Sequence, residues 1–110
     1  MRFHRPERVS DLIIEELNKL ILREIEVPGA LITITDVEVL KDLSQATVKV
    51  SVYPSEKSEK VLKILKKMRN KLQFLLLRKL NIKPMPQIAF KLDIGPEKAA
   101  VVEKKLLEEK

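Results

Sequence analysis

The sequence predicts an α+β domain in which helices cover one face of a three-stranded sheet. Three observations carry that reading. Val9, Ile13, Leu17, Leu20 or Ile21, and Ile25 recur at helical spacing. Two segments rich in β-branched residues, Leu31 to Leu40 and Ala46 to Tyr53, follow it closely enough to form a hairpin. A long apolar and basic stretch, KVLKILKKMRNKLQFLLLRKL from Lys60 to Leu80, then precedes a short alternating segment from Ile88 to Leu92.

Each element has its own justification. Arg5-Pro6-Glu7-Arg8 is a helix start, with proline tolerated in the first turn and Glu7 near the positive end of the dipole. Pro28-Gly29 is expected to end that helix. In LITITDVEVL, Ile32 and Ile34 share one face and Val37 and Val39 the other, so a bulge near Thr35-Asp36 is needed to bury all four together. Lys41 to Ser44 is a turn in which Asp42 satisfies amides, and Asp36 belongs to the bulge. Ala46, Val48, Val50 and Val52 alternate with polar residues, so the second strand has one wet face. Pro54-Ser55 opens the helical region, with Ser55 or Ser58 available as a cap and Glu56 and Glu59 in the first turn. Asn81 to Pro86 is a loop stiffened by prolines, and Gly95-Pro96 breaks the chain again. The expected organisation is a domain over 1–96 and a helical tail over 97–110, whose few apolar residues imply fraying or partial docking.

The stretch from Lys60 to Leu80 does not suit one straight helix. At about 100° per residue, Val61, Leu65, Met68, Leu72 and Leu76 form an apolar seam, and Lys60, Lys67, Lys71 and Arg78 form a second stripe. A straight helix then puts Lys79 in the seam and leaves Phe74 and Leu77 among the lysines. A kink at Asn70 relieves both conflicts, because asparagine is a weak helix former that accepts left-handed backbone. The alternative is an unbroken helix with Lys79 snorkelling.

Bulk properties narrow the function. A chain of 110 residues without cysteine has no disulfide or thiolate metal site. No apolar run approaches the roughly 20 residues that span a bilayer, so the cytoplasm is the expected location. His4, the single histidine, lies near the start, and no P-loop, metal-ligand spacing or nucleophile–base pair is visible. Neither catalysis, a cofactor nor a small-molecule substrate is expected.

Charge is more informative. The interval from Lys60 to Lys91 holds ten basic residues and no acidic one, and it supplies the entire formal excess of +6. Heat adaptation explains abundant charge but not its segregation, since ion-pair networks need both signs together. A cationic surface for a polyanion explains both.

Several stretches, in this order, resemble the ribosome-binding factor A family. Arg5-Pro6-Glu7-Arg8-Val9 resembles its opening R-x-x-R-V, and Glu26-Val27-Pro28 its acid-x-Pro-like turn. Val37 to Leu43 resembles V-x-V-S-x-D-L running into Ala-x-V-x-V at Ala46 to Val50, and Lys83 to Phe90 resembles R-x-V-P-x-L-x-F. The resemblance covers Arg5 to about Leu107. It implies a KH-type domain of the second topology, ordered helix-strand-strand-helix-kink-helix-strand plus a C-terminal helix. In that family an Ala-x-Gly kink replaces the RNA-clamping Gly-x-x-Gly turn; here Met68-Arg69-Asn70 stands at those positions, and Gln73 where an arginine is frequent. Gly29 and Gly95 lie outside the region, so no Gly-x-x-Gly clamp is present. The resemblance further implies a non-catalytic assembly factor, most needed in the cold, that binds the small ribosomal subunit and assists maturation of its rRNA.

The residues themselves predict contacts to RNA phosphates from Lys60, Lys63, Lys67, Lys71, Arg78, Lys79 and Lys83. Arg5 and Arg8 add a second contact at the domain edge, or else pair with Asp11 or Glu15. Phe74 and Phe90 are expected in the core, which leaves Phe3 and Tyr53 as candidate stacking residues. A monomer with no membrane partner is expected. The alternative function is a general DNA- or RNA-binding domain without a ribosomal role.

Overall fold

The computed structural model describes residues 5–93. The tail over 97–110, Phe3 and His4 therefore lie outside the described residues. Helix α1, Pro6–Glu24, begins with proline in its first turn and buries Val9, Ile13, Leu17, Leu20 and Ile21. It stops earlier than Pro28-Gly29, because Ile25 is already extended at φ −113° and ψ 125°. Val27 precedes a proline and so disfavours helical backbone, and the extended path buries both Ile25 and Val27. Gly29 then turns the chain at φ 76°. A Cβ there would come within 2.8 Å of Lys57 Nζ, which donates to the Pro28 carbonyl at 2.5 Å.

Strands β1, Leu31–Val39, and β2, Gln45–Tyr53, pair antiparallel. Their register slips between Ile34 and Asp36, which makes Thr35 the extra residue of the expected bulge. The slip puts Ile34 opposite Val50 and Val37 opposite Val48, and all four are buried. Asp36 accepts the Val37 amide at 2.9 Å. Between the strands, Asp42 accepts the Ser44 hydroxyl at 2.7 Å and its amide at 3.0 Å. Those bonds, the hydroxyl foremost, hold the Asp42 carboxyl below its ordinary range, and they support Leu43 at φ 61°.

A 3-10 turn, Ser55–Lys57, leads into α2, Ser58–Lys67. Neither Ser55 nor Ser58 caps α2 through its side chain. The turn does so with backbone instead: the Lys57 amide donates to the Pro54 carbonyl at 3.1 Å, and the Ser58 amide to Ser55. Helix α3, Arg69–Leu80, follows after a single interrupting residue, Met68, at φ −88° and ψ 0°. The break is thus at Met68 and not at Asn70, which lies in the first turn of α3 and has no positive φ. A change of packing partner needs only a bridge-region residue, which any side chain can supply. Helix α2 packs on β2 and β3, whereas α3 packs on α1 and β3. The asparagine in left-handed conformation is Asn81, at φ 50° and ψ 42°, where α3 ends.

Strand β3, Gln87–Leu92, runs parallel to β2 and completes a sheet in the order β1-β2-β3. Ile88 and Phe90 face the helices beside Ala46 and Val48. The seam of α2 and α3 meets them through Val61, Leu65, Leu72 and Leu76, each fully buried. A buried leucine of this kind contributes about 2 kcal/mol of transfer free energy. The order of elements and the helices on one sheet face agree with the α+β domain expected from the sequence.

Candidate nucleic-acid interface

The apolar seam decides where the cations go. In α2, Val61 and Leu65 turn inward, so Lys60, Lys63, Lys66 and Lys67 stand exposed on the outer side. In α3, Leu72 and Leu76 turn inward and leave Lys71, Arg78 and Lys79 exposed. Lys83 is exposed on the loop that follows. Lys79 escapes the seam because the helix ends one residue later. Arg5 and Arg8 are also exposed, at the start of α1. Among the described residues neither forms an ion pair, and Glu15 is engaged instead by Lys19 at 3.9 Å.

Three of the ten basic residues have other work. Arg69 donates from Nε to the Ile88 carbonyl at 2.7 Å; its guanidinium also reaches the Gln87 side chain and, at 2.6 Å, Asn70 Oδ1. Lys91 stands on the far face of the sheet, opposite Lys49 in register. Lys71 pairs with Glu24 of α1 at 2.8 Å. That bond, followed by the one from Arg23, holds the Glu24 carboxyl below its ordinary range. Lys71 is therefore a partly neutralised cation that joins α1 to α3. The remaining seven, Lys60, Lys63, Lys66, Lys67, Arg78, Lys79 and Lys83, form no ion pair among the described residues.

Gln73 has a structural role. Its amide donates to the Pro86 carbonyl at 2.8 Å and accepts from the Ile88 amide at 2.8 Å. With Arg69 on the Ile88 carbonyl, both outward backbone groups of that residue are satisfied by α3. An edge strand otherwise presents such groups to any passing chain. Gln73 and Arg69 cover the start of β3.

The aromatic residues divide differently from the sequence expectation. Phe90 is buried, as its alternation implies. Phe74 is not in the core: it is 55% exposed, and Leu77 is 42% exposed. Both lie on the side of α3 opposite Leu72 and Leu76. The Arg78 guanidinium sits 5.7 Å from the centre of the Phe74 ring. Tyr53 is exposed but belongs to the far face of the sheet, across from Leu31. Sequence reasoning missed Phe74 although the signal was present, since Lys71, Phe74 and Arg78 are spaced to share a helix side.

Among the described residues, no group of three or more acidic or histidine side chains is gathered to hold a metal. No helix among them is long and apolar enough to cross a membrane.

Comparison with known proteins agrees with this fold. The family profile "Ribosome-binding factor A" matches residues 5–106. A ribosome-binding factor A from Caldanaerobacter subterraneus is 35% identical over 108 residues, covering 96% of this chain and 88% of that protein. The crystal structure of ribosome-binding factor A from Thermus thermophilus superposes with a TM-score of 0.59 at 23% identity, covering 79% of this chain and 90% of that one. Coordinates of the Thermus thermophilus factor fitted into a cryo-EM map of a 30S complex superpose with a TM-score of 0.60 at 22% identity, over 83% of this chain and 93% of that one. A profile match over nearly the whole length, a relative above one-third identity and the shared KH-like fold have one reading: this chain belongs to the ribosome-binding factor A family.

Proposed function

We propose that this protein binds the small ribosomal subunit through the outer side of α2, α3 and the loop carrying Lys83, and thereby assists maturation of the subunit's rRNA. The observation that carries the proposal is the separation of roles within one segment. Its apolar seam is spent on the core, while seven cations without ionic partners among the described residues stand outside. Phosphates meeting such a surface release condensed counterions, so binding is strong at low salt and falls steeply as salt rises. Arg5 and Arg8 extend the cationic surface at the start of α1. The fitting of the Thermus thermophilus relative into a 30S complex supports the choice of polyanion.

The competing partners fit less well. An interfacial helix on a lipid surface needs a broad apolar face to insert; the seam is already buried, and Phe74 and Leu77 are the only large apolar side chains of α2 and α3 that stand exposed. A recognition helix in a DNA major groove presents polar side chains to base edges, whereas the crest of α3 carries Phe74 and Leu77.

The test is co-sedimentation with purified small subunits at low and high salt, set beside a duplex DNA shift assay. Lys67→Glu combined with Lys79→Glu is the informative variant, because neither lysine has an ionic partner among the described residues. Lys71 is unsuitable for charge reversal, since a glutamate there would face Glu24. The double variant is expected to lose co-sedimentation while its melting temperature moves by no more than about 3 °C. Equal co-sedimentation of parent and variant rejects the cationic surface. Equal affinity for duplex DNA and subunits favours a general nucleic-acid-binding role.

A further inference from the structure

We propose that Phe74, with the Arg78 guanidinium against its ring, is a stacking platform for an unpaired RNA base; this deepens, and rests on, the RNA-binding reading above. A phenylalanine at the crest of a helix adds little to the core. Phe74 is 55% exposed, and the helix already buries Leu72 and Leu76 on its other side. Leu77, one turn further on, is 42% exposed and widens the apolar spot. The surroundings are mainly cationic: Arg78 has no ionic partner among the described residues, no acidic residue occurs from Lys60 to Lys91, and the one carboxylate paired with a cation of this helix is Glu24, which holds Lys71.

That combination selects the occupant. A second copy of this chain would bring two surfaces of like charge together, and the molecule already carries a formal +6. An ordinary apolar protein patch offers nothing to the surrounding cations. A nucleotide offers both halves at once, a flat π-face for the ring and a phosphate for Arg78. Arg78 lies over the ring, 5.7 Å from its centroid, so a cation is already placed beside the surface a base would use. Stacking of this type tolerates any base, since every base has a π-face. The platform therefore adds affinity for single-stranded or splayed RNA without fixing its sequence.

The chain has no tryptophan, so Phe74→Trp installs a single tryptophan, excited selectively over Tyr53, at the proposed contact. The probes are short oligo(A) RNA, the same sugar-phosphate chain lacking bases, and purified small subunits. Oligo(A) is expected to quench the Phe74→Trp fluorescence, and the base-free chain to leave it unchanged. Phe74→Leu keeps an apolar side chain of similar bulk and is expected to weaken oligo(A) binding about tenfold. Its binding to the base-free chain and its melting temperature are expected to match the parent. Undiminished oligo(A) binding by Phe74→Leu overturns the platform, as does equal quenching by the base-free chain or a parent that does not bind oligo(A). If Phe74→Leu loses subunit co-sedimentation yet binds oligo(A) like the parent, the patch docks a protein and the platform is again overturned. Failure of the platform alone leaves the Lys67 and Lys79 charge reversals active against subunit binding. Failure of the underlying reading leaves those reversals without effect, and the two results are thus told apart.

Discussion

Asn81 takes φ 50° and ψ 42° at the end of α3, and its amide donates to the Leu77 carbonyl at 3.1 Å. A left-handed residue there reverses the chain and lets the last turn close on itself. Asn70, eleven residues earlier, sits in the first turn of α3 and accepts a hydrogen bond from Arg69. The two asparagines should therefore respond to the same substitution to different degrees. Asn81→Val is expected to lower stability by about 1–2 kcal/mol, because a β-branched side chain crowds the left-handed region. Asn81→Gly should be nearly neutral. Asn70→Val should cost no more than about 0.7 kcal/mol, the scale of helix propensity. Thermal melts of the three variants check this, and a harmless Asn81→Val would reject the left-handed cap.

At the scale of elements, Gln73 shares with Arg69 the polar contact between α3 and the start of β3. Gln73 both donates to the Pro86 carbonyl and accepts from the Ile88 amide, which matches its two functional ends to a carbonyl and an amide at the start of the edge strand. Gln73→Leu keeps the volume and removes both bonds. It leaves a half-buried amide and a carbonyl unpaired, at an expected cost of about 1–3 kcal/mol. Denaturant titration should show a lower midpoint with an unchanged slope. A midpoint equal to that of the parent would mean that water satisfies the edge equally well. The break at Met68 belongs to this scale too. It redirects the segment from the sheet toward α1 without interrupting the buried row Val61, Leu65, Leu72 and Leu76.

For the whole molecule, charge is distributed so that the two sheet sides differ. The helical side carries unpaired cations, while the far side carries a balanced set in which Lys49 pairs with Glu38 at 2.6 Å. Lys49 holds the Glu38 carboxyl below its ordinary value of 4.5, and Glu38 raises Lys49 above 10.5. Glu24 is likewise lowered from 4.5 and Asp42 from 3.8. A carboxyl lowered on folding stabilises the fold fully above its unfolded value and loses that contribution as pH falls through its folded value. The lysine works in the opposite direction, and its share is lost as pH rises through its folded value above 10.5. The melting temperature is thus expected to decline on acidification below about pH 4.5 and on strong alkalinisation, with a plateau between. These groups are exposed, so each share is small. Glu38→Gln should flatten both flanks of the profile, and an unaltered profile would show that the pair contributes nothing.

Much of the fold was legible because alternation and helical spacing report burial directly. The bulge at Thr35, the hairpin, the wet face of β2 and the seam through Leu72 and Leu76 all follow from which residues had to share a face. The basic interval was equally visible, since composition does not depend on geometry. Tertiary structure alone decided which cations remain available, because Glu24 is distant in sequence from Lys71 and meets it only when α1 packs on α3. It also decided that Phe74 stays in water: Leu72 and Leu76 take the inward side of α3, Phe74 falls on the opposite side, and hydrophobicity specifies what a side chain prefers but not whether its helix turns it toward the core.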